Sequence, residues 1–226
     1  MSTIYFQPQF IEFFQGLELN NHKEWFDENR KTYEKSVKEP FKHFVQDVIN
    51  EMNLINPKIQ IEPKDAIFRI NRDIRFSKDK TPYKLNLSAY IAPGGRKDKN
   101  NPGFYFELSA KHVRFYSGAY FIDKSQLSAL RNYIIENKDT YQQIIESKNF
   151  KDVCNEILGE KNKRLDKDLM PYVDELPILW HKNIYYFKEY PANEILKEGL
   201  LSKIIQFYHK GYEFEQFLTT GMNANN

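Results

Sequence analysis

One cysteine, Cys154, is present among 226 residues. That excludes an internal disulfide framework and a zinc site built on thiolates. No apolar run approaches the ~20 residues that cross a bilayer. The opening MSTIYFQPQF lacks a basic segment followed by a long apolar one, the pattern of a secretory leader. A cytoplasmic protein with no membrane association is therefore expected. The five histidines (His22, His43, His112, His181 and His209) are scattered, and none forms His-x-x-x-His. No metal and no other cofactor is indicated. Gly-x-x-x-x-Gly-Lys and Gly-x-Gly-x-x-Gly are both missing, so there is no nucleotide loop. Gly94-Gly95, after Pro93, reads as turn chemistry. A formal charge of +2 and a pI of 8.4 fall short of a strongly basic domain, which argues against nucleic acid as the partner.

What is present is a core built on rings. Hydrophobic residues make up 41% and aromatics 15%, with 18 Phe and 15 Tyr. One domain over residues 1–226 is expected, in three zones. Residues 8–52 read as helical: Pro8 suits a first turn, and Phe10, Ile11, Phe14 and Leu17 recur at helical spacing. Asn21 with Glu24 three residues later reads as a capping pair after the Asn20-Asn21 break. Pro40 predicts a kink or two shorter helices. Residues 59–122 read as strands. Phe68, Ile70, Ile74 and Phe76 alternate with polar residues, as do Leu85–Ile91, Phe104–Leu108 and Val113–Phe115. The stretch 92–103 reads as a long hairpin loop. Residues 123–219 return to helix, with Asp123 and Asn137 as caps and one helix ending near Gly159. An irregular region follows over 160–193, with at most a short strand at Tyr185–Phe187. The last helical stretch is expected to split at Gly211, and the tail from Gly221 to fray. Strands between runs of helix argue for α+β, a single antiparallel sheet with helices packed mainly on one face.

Charge is concentrated in one place. Between Lys64 and Lys84 stand Lys64, Arg69, Arg72, Arg75, Lys78, Lys80 and Lys84, against Asp65, Asp73 and Asp79. Arg72 falls on the apolar alternation, where an unpaired guanidinium is costly. The pattern therefore predicts that the strand ends near Asn71 and that the chain turns, with Arg72, Asp73 and Arg75 lining a loop. A planar guanidinium suits phosphate or carboxylate. Arg69, Arg72, Arg75, Lys80, Tyr83 and Lys84 are the candidate anion ligands, with Asp73, Asp79 and Glu24 as accessory polar groups. The expected ligand is a phosphorylated or carboxylated small molecule. Two other readings stay open. The same charges can be a surface ion-pair network with Arg72 as an internal strut, leaving a non-enzymatic protein-interaction module. A nucleic-acid binder or enzyme is the third and weakest.

The segment RINRDIRFSKDKTPYK (69–84) and the earlier NNHKEWFDENRKTYEKSVKEP (20–40) together resemble domain-of-unknown-function family 2461 of bacteria and fungi. FYFEL (104–108), VRFYSGAYF (113–121) and KEYPANEILKEGLL (188–201) fit the same family, so the resemblance covers nearly the whole chain. It implies a compact single domain and carries over no catalytic residue.

Other chemistry finds little support in the residues. Ser77 and Lys80 satisfy Ser-x-x-Lys without its accompanying elements. Cys154 lies among Val153, Ile157 and Leu158 and reads as a small buried hydrophobe. Glu24, Asp27 and Arg30 read as a capping group and helix-surface pairs.

Overall fold

The computed structural model describes residues 3–99 and 101–224. Helix α1 (Pro8–Leu19) begins on the predicted proline and buries Phe10, Phe13, Phe14 and Leu17. It stops at Asn20, whose side-chain amide donates to the Gly16 carbonyl at 3.0 Å. The cap of α2 (Lys23–Glu28) is His22, not Asn21: the His22 ring accepts the Trp25 N–H and lies 3.0 Å from Glu24. Asn21 is engaged elsewhere, as described below. After α3 (Arg30–Thr32), one π-helical turn, Tyr33–Lys38, leads into α4 (Glu39–Ile55). Pro40 sits in the first turn of α4, where its missing N–H has no helical partner to lose. The irregularity therefore precedes the proline.

The zone predicted as strands also holds a short helix, α5 (Pro63–Ala66), started by Pro63 and by the Glu62 N–H bonding Asp65 at 3.2 Å. Beyond it the chain is extended but only intermittently paired. Ile67 bridges Ala89 and Asn71 bridges Tyr83. The Lys84 N–H donates to Ile70, and the Arg72 N–H to Pro82, both at 2.8 Å. Pairing stops at Arg72, in keeping with a strand that ends near Asn71. The apolar alternation through Ile74 and Phe76 is not a strand: Phe76 is 96% exposed.

Strands β1 (Asn86–Ile91), β2 (Gly103–Ser109), β3 (His112–Ala119) and β4 (Ile184–Pro191) form one antiparallel sheet in the order β1-β2-β3-β4. The fold is α+β, as the zones predict. β4 is longer than expected because its C-terminal half is half-exposed and polar, which hid its alternation. Helices α6 (Lys124–Glu136), α7 (Lys138–Glu146) and α8 (Lys148–Val153) follow β3. Asp123 caps α6 as predicted, accepting the Gln126 N–H at 2.8 Å. The Asn137 amide instead closes α6, donating to the Tyr133 carbonyl at 2.9 Å. α8 ends at Val153, short of Gly159. Residues 160–183 hold two 3₁₀ turns and an isolated antiparallel bridge between Lys161 and His181.

The last helix, α9 (Leu200–Met222), runs unbroken through Gly211, contrary to the predicted split. A Cβ at Gly211 would lie 1.6 Å from the Tyr186 hydroxyl. The glycine is there for close approach, not for a break. Met222 is buried, so Gly221 and Met222 are not frayed; Asn225 and Asn226 lie outside the described residues.

The chain divides into two compact units. One comprises Met1–Arg96, Tyr105–Phe115 and Glu189–Ile205. Its core joins Phe41 and Phe44 of α4 to Phe106 of β2, with ring centroids 5.8 Å apart in both pairs. The other comprises Lys97–Phe104, Tyr116–Lys188 and Gln206–Asn226. There Phe150, Phe207 and Phe214 surround Tyr186 at 5.1–6.1 Å. Burying each such ring contributes about 1.5–3 kcal/mol.

Candidate anion site

The basic loop closes on itself. Arg72 Nη1 donates to the Asp79 carboxylate, to the Thr81 hydroxyl and, at 3.2 Å, to the Thr81 carbonyl. Asp79 in turn accepts the Thr81 N–H at 2.9 Å. That backbone bond, followed by the Arg72 and Thr81 side chains, holds the Asp79 carboxyl down at about 2. Asp73 accepts from Arg75 Nε at 3.0 Å and Nη2 at 2.7 Å. Lys80 Nζ donates to the Ile74 carbonyl at 2.9 Å.

The base of the loop is clasped by the other motif. The Asn21 side chain accepts the Tyr83 N–H at 3.1 Å and donates to the Tyr83 carbonyl at 3.0 Å. The Tyr83 ring stacks on Phe26 of α2, with centroids 4.1 Å apart and planes 15° apart. NNHKEWF and TPYK are thus two halves of one structure. Nothing in their spacing of about sixty residues announces this.

Beside this clasp lies a cavity of about 420 Å³, lined by Glu18, Asn21, Arg72, Asp79, Thr81, Tyr83, Lys84, Leu85 and Asn86. It gathers Arg72, Tyr83, Lys84 and Asp79 of the predicted residues. Arg69, Arg75, Lys80, Asp73 and Glu24 do not line it. Both carboxylates of the lining are already neutralised: Asp79 by Arg72, and Glu18 by Lys111. Lys84 is different. No ion pair among the described residues includes it. Its ammonium lies 5.2 Å from the centroid of the Phe68 ring. Burial, and then the like charge of Arg69, push its pKa down, against a smaller upward pull from Glu107.

Glu107 belongs to a feature that the sequence reading missed. On the half-exposed face of the sheet, one side chain from each strand joins a polar row. Asn86 Nδ2 donates to Glu107 at 3.3 Å, Arg114 Nη1 to Glu107 at 3.4 Å, and Arg114 Nε to Glu189 at 2.5 Å. The Tyr105 hydroxyl donates to Glu107 at 2.8 Å, and His112 Nε2 lies 2.9 Å from it. With a side chain only 12% exposed, Glu107 is held by these neighbours. Asn86 lines the cavity and touches this row, so it couples the two. Its Oδ1 is buried without a partner. In the sequence these residues are the polar halves of strand alternations, indistinguishable from a solvated face.

Cys154 is buried, its thiol pushed up to about 12 chiefly by burial, which fits a packing role. Among the described residues no group of three or more His, Cys, Asp or Glu is placed to hold a metal ion. No helix of the described residues is long and apolar enough to cross a membrane.

Comparison with known proteins returns one family. Residues 9–217 match the family described as conserved hypothetical protein (DUF2461). No curated protein and no solved structure matches the chain.

Proposed function

The chain belongs to the DUF2461 family, and we propose that in this member the cavity beside the basic loop binds a small phosphorylated or carboxylated molecule. One observation carries the reading. The carboxylates of the lining have cationic partners, whereas Lys84 has none, so the cavity holds an uncompensated positive charge. An unpaired, half-desolvated ammonium is stabilised by an anion that replaces its lost hydration. Arg72 serves the site twice. Its Nη1 holds the loop shut, while Nε and Nη2 have no hydrogen-bond partner among the described residues and remain for a ligand. Arg69 adds a second positive charge near Lys84. Tyr83 shapes the wall. Arg75 and Lys80 serve the loop, and Glu24 serves the α2 cap.

Thermal melting at low ionic strength tests this with phosphate, sulfate, dicarboxylates and sugar phosphates, against sodium chloride at matched ionic strength. A ligand at 100 times its dissociation constant stabilises by ~2.7 kcal/mol. The expected result is a rise in melting temperature for wild type that Lys84→Gln loses. If no anion exceeds the chloride control, the reading is wrong. The alternative, a protein-interaction module without enzymatic activity, is favoured by the bare Phe76 ring at the loop tip and would then take its place.

A further inference from the structure

We infer that Lys84 is a reactive amine that condenses with the carbonyl group of its ligand, which makes the ligand a carbonyl-bearing anion such as a 2-oxo acid or a phosphorylated aldehyde. The inference rests on the anion reading above and names the ligand class for the same cavity.

The argument begins with what a lysine needs in order to attack a carbonyl. The amine must give up its proton more readily than an ordinary lysine, be free of an ion pair, and be open to a space that holds a small molecule. Eight of the 25 lysines fail on the second point. Lys38, Lys64, Lys111, Lys138, Lys182, Lys197, Lys203 and Lys210 each sit within 4 Å of a carboxylate. Lys80 and Lys188 donate to backbone carbonyls. Lys84 has neither kind of partner among the described residues. Its ammonium lies near the Phe68 ring, and the residue lines the cavity. Two charges act on it from neighbouring elements: Arg69, next to Phe68, repels a proton on Nζ, and Glu107 on β2 attracts one. Four side chains already hold the Glu107 carboxylate, which blunts its pull. Among the described lysines with a resolved shift, Lys84 is the one driven toward the neutral amine.

The chemistry then balances without a further reagent. The Nζ lone pair adds to the carbonyl carbon, the C=O π electrons move to oxygen, and a proton passes from nitrogen to oxygen. Loss of that oxygen as water leaves an imine. Protonation of the imine from solvent restores the positive charge beside the ligand's anionic group. The free Nε and Nη2 of Arg72 stand ready for that group.

The test is reductive trapping on the full chain. Wild type is incubated with glyoxylate and, separately, with neutral acetaldehyde, each with cyanoborohydride, and the labelled lysines are mapped by mass spectrometry. The expected result is one dominant glyoxylate adduct at Lys84, forming several-fold faster than at any other lysine. The preference should weaken with acetaldehyde, and excess phosphate should protect the site. Labelling spread over surface lysines, with Lys84 no faster, overturns the inference. Lys84→Arg separates the two claims, since arginine keeps the charge and forms no imine under these conditions. If anions stabilise both wild type and Lys84→Arg but no Lys84 adduct forms, the cavity binds anions and the amine is inert. If neither protein responds to any anion and acetaldehyde labels Lys84 as fast as glyoxylate does, the anion reading fails and the named ligand class with it.

Discussion

A single guanidinium illustrates how a polar residue on an apolar alternation is accommodated. Arg72 sits where a strand residue would point into the core, and the chain leaves the ladder there, so that Nη1 meets Asp79 and Thr81. Arg72→Ala should open the loop and cost about 1 kcal/mol, the net worth of a partly exposed, charge-assisted set of bonds. For a chain of this length that is roughly 2–4 °C in melting temperature. The cost should depend on pH in a stated direction. Asp79 titrates at about 2 when folded, below its ordinary 3.8. Its contribution is present above that ordinary value and is lost as pH falls through about 2. Melting curves of wild type and variant should therefore converge across that window. A gap that stays constant would remove Asp79 from the account. The turn at Asn71 was legible because Arg72 breaks a pattern. The clasp of Asn21 on Tyr83 was not, because an asparagine before a helix has a commoner use as a cap, and pairing across some sixty residues leaves no local trace.

Elements were legible where one face is apolar and the other polar over several residues. β1, β2 and β3 follow that rule, and so does α4. β4 was legible only over Tyr185–Phe187 because Lys188 and Glu189 interrupt its alternation, and α9 was cut at Gly211 because a glycine in a helix usually marks an end. The reason for the glycine lies in another element: the Tyr186 hydroxyl of β4 occupies the space of its missing side chain. Gly211→Ala therefore sets two effects against each other. Propensity favours alanine by about 1 kcal/mol, while overpacking of a filled core costs roughly 1–3 kcal/mol. Denaturant titration should show a net loss. Tyr186→Phe, which removes a buried hydroxyl without a partner, should be close to neutral alone and should recover part of that loss in the double variant.

Stability of the whole molecule should carry the mark of one carboxyl. Glu215 of α9 is buried, accepts from the Ser117 hydroxyl at 3.1 Å and the Tyr208 hydroxyl at 3.3 Å, and has no cation beside it among the described residues. Burial pushes its pKa up to about 7, and those two hydroxyls offset only part of the shift. The folded chain thus holds a proton that the unfolded chain releases near 4.5. Stability is greatest below the lower value and falls as pH rises through about 7, by about 3 kcal/mol in all. Unfolding free energies measured from pH 4 to 9 should show that decline. Glu215→Gln should flatten it, gaining stability at pH 8 and little at pH 4. An unchanged profile would mean that water or movement reaches the carboxyl.

The clasp at Tyr83 has a consequence for how the molecule keeps to itself. In the pairing of Ile70–Arg72 with Pro82–Lys84, the N–H and C=O of Tyr83 face away from their partner strand. Such an outward pair is the template on which a stray extended chain adds itself and starts an aggregate. The Asn21 amide, donor and acceptor in one plane, fills that template as a strand of one residue would. The asparagine that joins the two motifs is thereby also a stopper, ending a β-ribbon against further growth.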